Sequence, residues 1–206
     1  MMQCEQHTMQ NDDHTGHLGD IYRFLARSMA FPEDAWLHGA YWQALFALLE
    51  GLGWQNEADE LRCLTNEDAS LLAPLQVEYT RLFINAIPHV VAPPYGSVYL
   101  SDDGMLYGNS AVLTKNFYRE HGFDLPGEAD IPDHLSLELE FLALLAEERH
   151  EEEVFLFLRD HFRPWFPAFQ ARVLAEVRHP FYRVLVNLID FFTREEWDNG
   201  FESDET

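Results

Sequence analysis

Asp133 and His134 are the residue types best suited to chemistry in this chain. They stand side by side in I-P-D-H-L-S-L-E-L-E-F-L, residues 131–142. His134 and Glu138 are four apart, which on a helix places them on one face, as metal ligands can be. However, H-L-S-L-E lacks the second histidine of H-E-x-x-H, and the chain suggests no third ligand. Ser97 lies in Y-G-S-V rather than G-x-S-x-G, with no strand before it to form a nucleophile elbow. Neither a P-loop nor a G-x-G-x-x-G run is present, so nucleotide binding has no motif behind it. His7, His14 and His17 have no spacing that suits a closed metal site. The expectation is therefore no catalytic residue, no metal ligand set and no cofactor.

Asp133 has two other uses. It can cap the helix that follows, satisfying free backbone N–H groups, with His134 packed on or hydrogen-bonded to residues 85–97. Its carboxylate could also receive an arginine, since bidentate Arg–carboxylate contacts are strong and selective.

The segment that must position these groups runs over residues 78–104, E-Y-T-R-L-F-I-N-A-I-P-H-V-V-A-P-P-Y-G-S-V-Y-L-S-D-D-G. Tyr79, Leu82 and Phe83 follow a helical period. Residues 85–97 then lose it, with Pro88, Pro93, Pro94 and a Gly-Ser pair forcing extended chain. The stretch is unusually apolar for a loop, through Ile84, Ile87, Val90, Val91, Tyr95, Val98, Tyr99 and Leu100. Either it packs across the body of the fold or it lines a groove that something else fills.

The E-Y-x-x-L-F run at 78–83 and P-P-Y-G-S-V-Y at 93–99, followed by the Pro-Asp-His block at 131–142, resemble the TorD/DmsD (NarJ-like) family of chaperones for molybdenum-dependent oxidoreductases. H-P-F-Y at 179–182 resembles a weaker third element. The likeness covers roughly residues 18–197. It implies a cytoplasmic, cofactor-free protein that binds the twin-arginine leader peptide or the apo form of a molybdopterin-containing catalytic subunit until the cofactor is inserted. By the same resemblance Asp133 and His134 belong to a peptide-binding groove. With them go Tyr79, Leu82, Phe83, Pro93, Pro94, Tyr95, Gly96, Ser97, Tyr99 and Gly108. Leu82 and Phe83 also suit a core, and Tyr79 is the better groove candidate because its ring is amphipathic. Tyr95 and Tyr99 stand where DmsD-type members often carry Trp. A respiratory-complex assembly scaffold without a leader-peptide role is the alternative, and a helical metal- or nucleotide-dependent enzyme a weaker one. A homodimer is compatible with all of these.

Composition narrows the classes further. Thirty-six acidic residues oppose 13 basic ones, Lys115 being the only lysine, for a net charge of −23. That argues against nucleic acid, which needs a basic footprint, and favours cationic partners. No apolar run approaches the ~18–20 residues of a membrane span, and the N-terminus lacks the basic and apolar regions of a secretory signal. Cys4 and Cys63 cannot make a disulfide framework, so a reduced, cytoplasmic setting is the simpler reading.

The periodicity predicts an all-α domain of roughly eight to ten helices over residues 18–197, interrupted by two motif-bearing loops. A disordered tail of residues 1–17 precedes it and an acidic tail of residues 198–206 follows. Helices are expected from Ile21, from Asp34 to Glu50 with Gly51 and Gly53 ending it, and near residues 56–63. Another is capped at Thr65-Asn66 and restarted by Pro74. Asn109 or Ser110 caps the next, which Gly122 closes. Three more run over residues 154–162, 165–177 and 180–197. The helix from Asp133 is apolar nearly all round and should be the most buried.

Overall fold

The computed structural model describes residues 17–66, 71–87, 89–101, 104–123, 125, 131–148 and 150–204, with the side chains of 66 and 195–204 excepted. The expectations for residues 1–16, Pro88, the Asp102-Asp103 pair, and Pro126 and Gly127 lie outside them.

Among the described residues ten α-helices follow one another and there is no strand. They are α1 (17–28), α2 (Gly39–Gly51), α3 (Gln55–Asn66), α4 (Leu72–Tyr79), α5 (Ser97–Leu100), α6 (Asn109–Glu120), α7 (Leu135–Glu147), α8 (Glu151–Phe157), α9 (Phe166–Glu176) and α10 (Pro180–Asp204). Two π turns, Thr80–Ile84 and Leu158–Phe162, extend α4 and α8. The fold is all-α.

The glycine stops act as their spacing predicts. Gly53 takes φ 74° and donates to Glu50 O at 3.0 Å, while Trp54 N donates to Leu49 O at 2.8 Å. Gly122, also at φ 74°, repeats the pattern with Arg119 O at 3.1 Å and with Phe123 N on Tyr118 O at 2.8 Å. Both are Schellman ends, in which a left-handed residue lets two N–H groups satisfy carbonyls the helix leaves free. Pro74 is the third residue of α4 and Pro180 the first of α10, where a missing N–H costs nothing.

Several boundaries differ from expectation. Residues 34–38 are turns, and α2 starts only at Gly39. Thr65 and Asn66 finish α3 rather than capping a new helix, with Thr65 Oγ1 bonded back to Arg62 O at 3.0 Å. Asn109 and Ser110 are inside α6, whose N-cap is Gly108 with no side-chain cap bond. The last helix continues to Asp204, past the expected stop at Trp197.

Two compact units form, each from separated segments. The first takes its described residues from Met1–Ala30, Pro94–Phe169 and Leu188–Thr206, the second from Phe31–Pro93 and Gln170–Asn187. In the first, α7 buries Leu135, Leu139, Phe141, Leu142, Ala143, Leu145 and Ala146, as its all-round apolar pattern requires. Phe141 and Phe157 meet edge to face with centroids 5.0 Å apart, the arrangement aromatic quadrupoles favour. The second unit is centred on Leu45, Leu49, Leu75, Leu82 and Tyr182. Each such side chain contributes about 1.5–3 kcal/mol by leaving water.

Candidate functional site

In the first unit the two motif-bearing loops meet through their backbones. Gly96 N donates to Asp133 O and Leu135 N to Pro94 O, both at 2.9 Å, forming one antiparallel bridge between Tyr95 and His134. The Tyr95 and His134 rings meet edge to face at 4.9 Å.

Asp133 does not cap α7. Its Oδ2 accepts from Ser97 N at 2.5 Å, at the start of α5. The N-cap of α7 is His134, whose Nδ1 accepts from Ser136 N at 3.2 Å. The turn at Pro132-Asp133 sets the aspartate one residue ahead of the cap, where it faces the returning loop instead of its own helix. From there the links continue outward, since Ser97 Oγ accepts from Tyr107 N at 3.2 Å.

One turn into α7 lies a second buried acid, Glu138. Its Oε2 accepts from the Trp165 indole N–H at 3.1 Å, and neither residue is exposed. Burial drives its carboxyl well above the usual range and the Asp133 charge pushes it further, while the indole N–H opposes both. Of the two carboxyls, Glu138 is the one whose neutral form burial favours more strongly. Burial also raises Asp133, against the pull of Ser97 and Ser110. Neither hydroxyl closes a hydrogen bond to Asp133 Oδ1. That oxygen, Ser136 Oγ and Glu138 Oε1 are buried without a partner among the described residues.

Gly96 is required by close approach. A Cβ there would sit 3.0 Å from Trp165 Nε1, the same atom that donates to Glu138. Tyr99 stacks on the same indole at 5.8 Å and 26°. Among the described residues no three His, Cys, Asp or Glu side chains are placed to hold a metal ion.

The second unit holds its own hub, built on Glu78. Arg81 Nε and Nη2 grip its two carboxylate oxygens at 2.8 and 2.9 Å. Arg178 N and His179 N donate to Oε1 at 2.6 and 3.3 Å. Burial pushes this carboxyl up, but the arginine and the two backbone N–H groups outweigh it and hold it below its usual value. Arg81 also reaches Glu176 O at 2.7 Å. Thus the E-Y-x-x-L-F block holds the corner between α9 and α10, where H-P-F-Y stands. His179 Nδ1 accepts from Phe181 N at 3.2 Å, and Tyr182 Oη donates to Leu75 O at 2.9 Å.

The twelve expected groove residues divide accordingly. Tyr79, Leu82, Phe83 and Pro93 fall in the second unit, and the other eight in the first. Tyr79 is not a groove wall. It is 6% exposed, its ring edge-on to Phe31 at 5.5 Å and Phe83 at 5.0 Å, and Leu82 and Phe83 are core beside it. Gly96, Ser97 and Asp133 form the hub of the first unit, and Tyr95, Tyr99 and His134 stay half-buried at its edge. Gly108 packs near Ser97, and a Cβ at this position would sit 3.5 Å from the Ser97 Cβ. At 1% exposure, Asp133 turns inward and presents no carboxylate to a passing arginine. Sequence reasoning missed Glu138's place in the core, Trp165 as its partner, and Glu78. The available signal was a lone acid inside an apolar stripe, which must find a partner or a proton.

Comparison with known proteins follows the same elements. The family described as nitrate reductase delta subunit matches residues 37–171. The chaperone protein TorD of a Psychrobacter species is 31% identical over 153 residues, 69% of this chain and 68% of that protein. The Tat proofreading chaperone DmsD of Salmonella typhi is 33% identical over 136 residues, 59% of this chain and 65% of that protein. A crystal structure from Archaeoglobus fulgidus, of a protein assigned to redox enzyme maturation, superposes with a TM-score of 0.57 at 28% identity, covering 86% of this chain and 92% of the other. The family match over most of the chain and the agreement in fold lead to one conclusion: this chain belongs to the nitrate reductase delta subunit family, together with the TorD and DmsD chaperones.

Proposed function

We propose that this protein is a cytoplasmic chaperone for a molybdopterin-containing oxidoreductase, binding the client's twin-arginine leader, or its apo form, until the cofactor is in place. The observation that carries the reading is the family itself, whose relatives here are TorD and Tat proofreading chaperones and whose fold neighbour is assigned to redox enzyme maturation. No bond is made or broken; the work is preferential binding of immature client. Leader recognition is supported by the net charge of −23, which draws a dibasic segment. No helix among the described residues is long and apolar enough to cross a membrane.

The family's description, nitrate reductase delta subunit, favours a second reading: an assembly scaffold that holds the apo-subunit and ignores the leader. Calorimetric titration separates the two. A synthetic peptide with two arginines and an apolar stretch should bind, and bind more weakly as salt rises. Binding of the leaderless apo-subunit with none of the peptide would move the conclusion to the scaffold.

A further inference from the structure

Where the two motif-bearing loops meet, the first unit keeps two carboxyls in its interior with one oxygen of each unused. Asp133 is 1% exposed and Glu138 0%. Each has its other oxygen engaged, Asp133 Oδ2 with Ser97 N and Glu138 Oε2 with the Trp165 indole. Asp133 Oδ1 and Glu138 Oε1 meet neither each other nor any donor among the described residues, and the buried Ser136 Oγ is left in the same way. The carboxyls are near enough for the Asp133 charge to act on Glu138. Buried polar atoms are seldom left so, because an unmade bond forfeits the full cost of leaving bulk solvent.

The donors around these atoms are already spent. Gly96 N and Leu135 N close the backbone bridge on Asp133 O and Pro94 O, and His134 N bonds Ile131 O. Ser136 N donates to His134 Nδ1, and from α6 Tyr118 Oη donates to Pro132 O at 2.9 Å. The Ser97 and Ser110 hydroxyls pull on Asp133 without closing a bond to its Oδ1. Among the described residues no three His, Cys, Asp or Glu side chains are placed to hold a metal ion here. What suits the three atoms is a small neutral molecule that both donates and accepts. It must donate to a carboxylate, accept from a hydroxyl, and reverse one bond when a carboxyl takes up a proton. Water does all three.

We propose that Asp133 Oδ1, Ser136 Oγ and Glu138 Oε1 form a binding site for internal water, which links the two carboxyls. Ser97, Asp133, the water, Glu138 and Trp165 then make one hydrogen-bonded path from the start of α5 to the start of α9. The site ties both motif blocks to the Trp165 corner through side chains, in addition to the backbone bridge.

The test is magnetic relaxation dispersion of the solvent, which counts internal waters that exchange slowly with bulk. Wild type and Glu138→Leu are compared, with circular dichroism on both, and the variant should lose at least one such water. Should Glu138→Leu fail to fold, Ser136→Ala takes its place. That variant keeps both carboxyls, removes one partner of the water, and should speed its exchange. A high-resolution crystal structure of wild type should also place water within hydrogen-bond distance of Asp133 Oδ1 and of Glu138 Oε1. Unchanged dispersion in the folded variant would overturn the site. So would a direct hydrogen bond between Asp133 Oδ1 and Glu138 Oε1, which shares a proton without water, or a water bonded to only one of the two.

Discussion

The Trp165 indole N–H and the Glu138 carboxyl form a hydrogen-bonded pair at 3.1 Å with no access to water. The indole can donate only, so the glutamate must accept, and its other oxygen has no partner among the described residues. A carboxyl so placed is stable in its neutral form.

Glu138 therefore sets a pH dependence. Its folded pKa lies well above the ordinary value and above the unfolded value of about 4.3. The stability this group contributes is complete below the unfolded pKa and is lost as pH rises through the folded one. Glu138→Gln keeps an acceptor for Trp165 and cannot ionise. Urea unfolding from pH 5 to 9 should show the variant gaining stability relative to wild type as pH rises, and at least as stable at the alkaline end.

Asp133 should separate charge from hydrogen bonding. Asp133→Asn retains an oxygen for Ser97 N and removes the charge that raises Glu138, so the alkaline decline should be smaller and complete at lower pH. Asp133→Ala leaves a buried N–H without an acceptor and should cost about 1–3 kcal/mol. Thermal melts of both variants at two pH values distinguish the effects.

Glu78 has the opposite sign. Its folded pKa is depressed, so its contribution is present above the unfolded value of about 4.3 and lost as pH falls through the folded one. Glu78→Gln leaves Arg81 without its anionic partner. It should cost about 2–3 kcal/mol near neutral pH, less than a fully buried pair because Arg81 is partly exposed. The gap from wild type should narrow in acid, and unfolding midpoints at pH 7 and pH 3 measure it.

Gly96→Ala should be costly without any backbone strain. The residue has helical dihedrals, φ −57° and ψ −41°, but the added carbon would meet Trp165 Nε1 at 3.0 Å. The indole is stacked on Tyr99 and bonded to Glu138, so it cannot yield freely. A loss of about 1–3 kcal/mol is expected, shrinking in a Trp165→Leu background where the indole is gone. A double-mutant cycle in urea reads the coupling.

Much of this architecture was legible in the chain. The helices follow from spacing, and Gly53 and Gly122 ended theirs where a left-handed residue was required. The buried all-round pattern of α7 was plain from Leu135 to Ala146. The cap of α7 was not. Asp and His can both accept from a helix N-terminus, and only the turn at Pro132 decides which of them stands one residue closer. Tyr79 looked like a groove wall because an amphipathic ring suits either place. Its burial depends on Phe31 and Tyr182, which are distant in sequence. Trp165 and Glu138 are 27 residues apart, and no local pattern pairs them.

The wide turn at Thr80–Ile84 has a consequence for how freely the adjoining loop can evolve. There Asn85 N reaches back five residues to Thr80 O at 2.8 Å, and the Leu82 carbonyl accepts from Ala92 N at 2.8 Å. Both ends of the intervening segment are thus moored by main-chain atoms, which every residue type but proline supplies. Substitutions at positions 86, 87 and 89–91 change what the loop displays without loosening its attachment. A lineage acquiring a new client could rewrite that stretch alone, and leave the helices and both carboxylate hubs untouched.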